Sequence, residues 1–401
     1  PLAKECDEKK VEGNVRPVGP PETLKKLIQK CFLIAKASNG SSVEKLLKNE
    51  LRRGQSFGIH GPEEKLRQLR KEAIAFEQKH GTPIVMKIDM ANGYGGVKIA
   101  QVLHRLYESP RLKELARFLY VAAGVPVTVM MRTEGRQYEE LLKNKQSLMQ
   151  GDPLSPIIFS LAIMPALEAA RAELRQVLQC PEVEYFAYID DVTWILPDRD
   201  GVTQEVARIV GKHLATVGAK IKPSKTVILY PKATRAQRIA NDFAPSEVSK
   251  RSVEFIDVLG TPFFTTIGDL TPQGREQVEE FVIDRLMNGS RGQQHRHRLQ
   301  RLRDPAWRPY VSSALAIIRK SIIPSATYIV RNTPVALSAK AVREFDNEID
   351  LTVAALLRIP RLSTTARRVV ALPLSYGGLG IHTIASRADD MVRAASSEAA
   401  K

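Results

Sequence analysis

Two aspartates stand side by side, Asp190 and Asp191, inside the run EYFAYIDDVTWIL from Glu184 to Leu196. Their flanks, Tyr185–Ile189 and Val192–Leu196, are apolar and aromatic, the composition of buried strands. Two like charges between such runs read as the tip of a β-hairpin. Aspartate suits turns, so one reading is plain turn chemistry; the other is that the pair holds something positive. Such pairs are cheap: Asp389-Asp390 recurs in the tail segment SRADDMVRAASS, where it reads as exposed helix surface. A third carboxylate weighs on the choice. The segment TPIVMKIDM reads as a buried strand ending at Asp89. Alone, Asp89 serves equally as a strand terminator or a helix N-cap. Two strand ends in one sheet would bring Asp89 to Asp190, and magnesium prefers a few carboxylates plus substrate phosphates. That cluster suits two metal ions and in-line phosphoryl transfer, one ion acidifying an attacking 3′-hydroxyl and the other steadying a leaving pyrophosphate.

A third feature is QGDPLSPIIF, from Gln150 to Phe159. Gly151 permits close backbone approach, and Asp152-Pro153 with Ser155-Pro156 fixes a turn into a helix. Ser155 reads as the N-cap and Pro156 as the first turn of a helix running to about Leu178. The bland reading is a loop that opens a helix; the ten-residue string as a whole is far more specific than that.

The surrounding elements follow from periodicity. Leu66, Leu69, Ala73 and Phe76 share one face of a helix over 63–79 that Pro62 opens. A helix follows the Asp89 strand over about 97–107, and VPVTVMMRTEGRQYEELL reads as extended chain around a turn. VARIVGKHLATVGAK reads as helix, KTVILY as strand, and VEFIDVLGTPFF as strand, Gly turn, strand. After Leu270 the chain reads as mostly helical. This mixture without regular βαβ alternation is an α+β order.

Bulk properties narrow the partners. The chain has 401 residues, 43% of them hydrophobic, and a formal net charge of +16, which favours a polyanion, nucleic acid first. No apolar run reaches the ~20 residues of a spanning helix, so no membrane partner is expected. Cys6, Cys31 and Cys180 are too scattered for a disulfide framework or a zinc cluster. The segment from Arg285 to Arg308 carries seven arginines and one acid. It reads as a solvated helical face or, given the overall charge, as a contact to a phosphate backbone through Arg291, Arg296, Arg298, Arg301 and Arg303. The first residue, Pro1, points to a piece of a longer protein.

In order along the chain, the motifs resemble those of reverse transcriptases, and within them the enzymes of non-LTR (LINE-type) retrotransposons. NVRPVGPPETLKKLIQK and QSFGIHGPEEKLRQL resemble fingers segments. KIDMANGY, QGDPLSPIIF, YIDD and VGAKIKPSKTVIL resemble successive palm motifs, VLGTPFF the primer-grip hairpin, and LPLSYGGLGI a segment common after the polymerase domain. The likeness covers roughly Arg16 to Ile381. Gly93-Tyr94, Ser147 and Ile189 depart from the usual Ala-Phe, Gly and Ala.

The resemblance implies an α+β right-hand polymerase with an antiparallel palm sheet and a mostly helical thumb. Fingers would come from 1–80 and 113–152, palm from 81–112 and 153–268, and thumb with C-terminal tail from 269–401. It implies RNA-directed DNA polymerase activity on an RNA template, a DNA primer and dNTPs, with two Mg2+ ions, or Mn2+, as cofactor. Asp89, Asp190 and Asp191 would be the catalytic, metal-binding carboxylates, with Met90 beside them at the metals. Backbone N–H groups over Met90–Tyr94 would face the triphosphate, and Tyr94 would exclude a 2′-hydroxyl. Arg16, Gln150, Gly151 and Lys225 would line the nucleotide site. The element class implies nuclear action; no oligomeric state follows. The alternatives are an inactive relative that only grips nucleic acid, or an RNA-dependent RNA polymerase, against which Tyr94 argues.

Overall fold

The strand read at TPIVMKIDM forms at the centre of a sheet, because its residues are apolar on both faces. The computed structural model describes residues 62–91, 93–97, 99–108, 112–123, 127–132, 138–144, 154–241, 254–288, 295–388 and 390–392, with positions 27, 28, 31, 47 and 148. They divide into two compact units, one of residues 1–65 and 71–251 and one of residues 66–70 and 252–401.

The first stretch runs α1 (Pro62–His80), β1 (Ile84–Ile88), β2 (Met90–Ala91), α2 (Gly93–Gly96), α3 (Ile99–Glu108), α4 (Lys113–Ala123), β3 (Val127–Arg132) and β4 (Tyr138–Asn144). It continues through α5 (Ser155–Val177), β5 (Glu184–Tyr188), β6 (Asp191–Leu196), α6 (Val202–Ala215), β7 (Lys220–Ile221), β8 (Val227–Leu229) and α7 (Arg235–Asn241). The main sheet has the order β5-β6-β1-β8, and all its pairs are antiparallel. In β1, Ile84, Val85, Met86 and Ile88 are buried; Lys87 is the polar exception. In β6, Val192 to Leu196 are buried throughout, with the Trp194 ring 5.2 Å from that of Tyr185 across the hairpin.

Three expectations are corrected in detail. Ser155 is not the cap of α5: Leu154 holds that position with no side-chain bond, and Ser155 is already helical. Pro156 in the first turn has no N–H to satisfy, so less capping is required. The helix read from Val206 towards Lys220 instead spans Val202–Ala215. Gly218 turns the chain at φ +80°, and Lys220 belongs to β7. Asp191 is not in the hairpin tip but pairs with Tyr188 as the first residue of β6.

The second unit opens on the hairpin β9 (Ile256–Val258) and β10 (Thr261–Phe263). Its loop residues Leu259 and Gly260 both have positive φ, 54° and 83°, as a type I′ turn requires. Then come α8 (Pro272–Ile283), α9 (His295–Leu302), α10 (Val311–Ile317), α11 (Ile323–Arg331), α12 (Val335–Leu357) and α13 (Thr364–Ala371). The long helix α12 buries Ala341, Val342, Phe345, Ile349 and Val353 at helical spacing, among Val278, Val282, Leu299, Ile318 and Val330. Among the described residues no helix is long and apolar enough to cross a membrane.

Candidate active site

Antiparallel pairing of β1 with β6 ends at Ile88↔Val192. Asp89 follows β1 directly and Asp191 precedes Val192, so the two carboxylates leave neighbouring strands at the same sheet edge. Side chains alternate along a strand. Lys87 and Asp89 therefore share a face, as do Asp191 and Thr193, and Lys87 pairs with Thr193. The Lys87 ammonium reaches Asp191 Oδ1 at 3.3 Å.

Asp190 is held by the two-residue loop between Tyr188 and Asp191. The first loop residue, Ile189, adopts φ 59°, a conformation that β-branched residues rarely take. Such strain persists only where the surroundings enforce it, and it gathers at functional sites. A Cβ on Gly93 would lie 3.4 Å from Asp190 Cβ and 3.5 Å from the Phe159 ring. Asp190 is thus seated against α2, the turn that follows Asp89.

Asp89 is tied to the VGAKIKPSKTVIL segment. Its carbonyl accepts from the Lys222 N–H at 2.9 Å, and Met90 and Ala91 pair with Ile221 and Lys220. The Lys225 ammonium lies 3.4 Å from Asp89 Oδ2. That oxygen is buried and has no hydrogen-bond partner, so the contact is an ion pair without hydrogen-bond geometry. Burial pushes the Asp191 carboxyl pKa up; Lys87 draws it down, while Asp190 and Asp89 raise it again. The Asp191 carboxylate, whose charging cost Asp190 and Asp89 raise, and the buried Asp89 oxygen that accepts no hydrogen bond are donors of the type a hard divalent cation takes. Oxygen donors suit such an ion by their chemistry; among the described residues the three carboxylates do not stand as a set within 4.8 Å of one another, so their side chains would have to close on it.

Sequence reasoning missed Lys87. Its signal was an ammonium in an otherwise apolar strand, two residues before Asp89. Of the other expected site residues, Tyr94 lies in α2, with its side chain outside the described residues. Arg16, Gln150, Gly151 and Arg291 also lie outside the described residues. In the arginine-rich stretch, Arg303 donates to Thr352 Oγ1 and the Glu348 carbonyl, both at 3.0 Å, and pairs with the Glu348 carboxylate. Arg296 sits 3.4 Å from Glu344, and Arg298 donates to Ser321 at 2.8 Å. These three groups are engaged within their own helical unit, Arg296 and Arg303 on α12. Arg301 is exposed.

The family model for reverse transcriptase (RNA-dependent DNA polymerase) matches residues 8–263. The retrotransposable element SLACS 132 kDa protein of Trypanosoma brucei gambiense is 23% identical over 387 residues, 95% of this chain and 28% of that protein. The chain therefore spans little more than a quarter of that relative's length. Among solved structures, telomerase from Candida albicans with a fragment of telomeric RNA overlays at TM-score 0.39 and 14% identity, covering 91% of this chain and 57% of the other. Apo telomerase from Candida tropicalis overlays at 0.40 and 11% identity, covering 89% and 58%. Overlays of that quality add no argument. The sequence match does: it takes in the Asp89 strand, the Asp190 hairpin and the sheet that joins them, and the chain belongs to the reverse transcriptase (RNA-dependent DNA polymerase) family, with its right-hand polymerase fold.

Proposed function

We propose that this chain extends a DNA primer on an RNA template, taking dNTPs and releasing pyrophosphate, as the polymerase of a non-LTR retrotransposon. The observation that carries the reading is the convergence of Asp89 and Asp191 from adjacent strands, with Asp190 on the connecting hairpin. Asp89, Asp190 and Asp191 would hold Mg2+, or Mn2+, with Met90 alongside. When bound, the ions lower the pKa of the primer hydroxyl and neutralise charge on the phosphates.

The chain's own groups do the rest. Lys87 offsets part of the burial that pushes the Asp191 carboxyl pKa up, because an ammonium beside a carboxylate favours ionisation. Lys225, half-exposed beside Asp89, is placed to meet the triphosphate. Tyr94 on α2 would stand under the sugar and exclude ribonucleotides; Arg16, Gln150 and Gly151 would complete the pocket. Fingers at 1–80 and 113–152, palm at 81–112 and 153–268, and thumb at 269–401 would be the parts of the polymerase, which would act in the nucleus. Within the thumb, exposed Arg301 is the arginine best placed for a phosphate backbone.

The test is primer extension with an RNA template, dNTPs and Mg2+. Wild type should extend, and Asp190→Asn and Asp89→Asn should each lower the rate at least a hundredfold with circular dichroism unchanged. Nucleic-acid binding without extension by wild type would support the inactive alternative. Extension with rNTPs at an equal rate would refute the role given to Tyr94.

A further inference from the structure

We propose a second metal site, of the zinc class, formed by His80, Cys180 and Glu182 and separate from the aspartate cluster. The His80, Cys180 and Glu182 ligand atoms all lie within 4.8 Å of one another. His80 Nε2 is 3.0 Å and Cys180 Sγ 3.9 Å from the same oxygen, Glu182 Oε2. Zinc bonds of about 2.0–2.3 Å in a tetrahedron separate N, O and S ligands by roughly 3.3–3.6 Å. The two separations from Glu182 straddle that range and the His80–Cys180 pair lies within 4.8 Å, so closing on an ion requires side-chain shifts of up to about an ångström.

The backbone holds the ligands ready. Helix α5 ends in a Schellman motif: the Cys180 N–H donates to the Arg175 carbonyl at 3.1 Å and the Gln179 N–H to the Gln176 carbonyl at 3.3 Å. Gln179 takes the left-handed position at φ 46° without being glycine. The Val183 N–H then donates to the Cys180 carbonyl at 3.3 Å. These bonds bury Cys180, 2% exposed, with its sulfur beside Glu182. His80 closes α1, its ring 4.9 Å from that of Phe76.

Lys79 is the competing cation, and it sits at the other oxygen, 3.6 Å from Glu182 Oε1. Oε2 is left to the imidazole and the thiol. The His80 and Glu182 side chains remain 35% and 27% exposed, so water can enter and fill a fourth position. Thiolate with imidazole selects zinc over the hard cations that suit the aspartates. A bound ion would pin the end of α1 to the turn that feeds β5, the strand leading to Asp190. Spacing along the sequence hid the site, because His80 is far from the other two ligands.

The probe is Co2+, titrated into the full chain carrying Cys6→Ser and Cys31→Ser. A thiolate-to-cobalt charge-transfer band should appear and saturate at one equivalent. Zn2+ should abolish it and excess Mg2+ should not. Cys180→Ser should remove it. No band in the parent, or a band that survives Cys180→Ser, would overturn the site. Should Cys180→Ser fail to fold, His80→Gln decides: the side chain is partly exposed, and cobalt affinity should fall at least tenfold. Unchanged affinity would overturn the proposal equally. Carboxylate ligation gives no sulfur band, so the outcome is independent of the polymerase reading.

Discussion

The Lys87 ammonium lies 3.3 Å from Asp191 Oδ1, one side chain from each of two paired strands. A metal ion bound by Asp191 would stand against the same carboxylate. Lysine and metal are therefore alternative counter-charges. Replacing Lys87 with Met should cost about 1–2 kcal/mol of stability without metal, because a partly buried carboxylate loses its partner. The deficit should shrink as Mg2+ is added. Urea unfolding of both forms across a Mg2+ series checks this; a deficit that ignores Mg2+ would separate Asp191 from the metals.

Gly96 and Gly218 touch back to back. A Cβ on Gly96 would meet the Gly218 carbonyl oxygen at 2.7 Å, and one on Gly218, at φ +80°, would meet the Gly96 oxygen at 2.3 Å. Neither contact can yield, because both obstacles are backbone. This approach fixes α2 against the turn into β7, and with it the segment after Asp89. Gly218→Ala should therefore destabilise by about 2–4 kcal/mol. It should lower primer extension more than the unfolded fraction explains. Both are read by urea unfolding and by initial rates on the same preparation.

What the sequence allowed to be read, and what it did not, has physical causes. Buried strands announce themselves by apolar runs, so β1, β5 and β6 were legible, and helix α5 by its Pro156 start. The likeness to non-LTR reverse transcriptases rested on motif order, and the comparisons return the same class. Side-chain pairing across strands was not legible. Lys87 was not singled out, because its placement against Asp191 is set by tertiary pairing. The arginines at Arg296 and Arg303 looked like one cationic face. Their partners, Glu344 and Glu348, lie far along the chain on α12, and only folding joins them.

Ile189 carries strain that glycine would not. At φ 59° a β-branched residue is disfavoured. Ile189→Gly should raise stability by about 1 kcal/mol, the difference between relieved strain and added unfolded-state entropy. Polymerisation should fall, since the looser loop no longer fixes Asp190. A denaturation midpoint that rises while the extension rate drops is the expected pair of results. A lower midpoint would mean that the side chain's packing outweighs the strain.

His295 gives the helical unit a pH dependence whose sign can be worked out. It is 1% exposed, its Nδ1 lacks a hydrogen-bond partner, and its ring meets Phe345 edge-on at 5.7 Å. Burial, helped by the positive charge of Arg298, pushes the imidazole pKa down from 6.5 to about 4. The unfolded chain thus takes up a proton first. The stabilisation is complete above about pH 6.5 and is lost as pH falls towards 4, by about 2 kcal/mol between pH 7 and pH 5. Asp346 and Asp350 act in the opposite direction, because burial pushes their carboxyls up. The informative quantity is therefore the difference between wild type and His295→Gln. That variant should be less stable at pH 7 and should close most of the gap by pH 5. Parallel urea midpoints across this range would mean that His295 takes up its proton at the same pH in the folded and unfolded states.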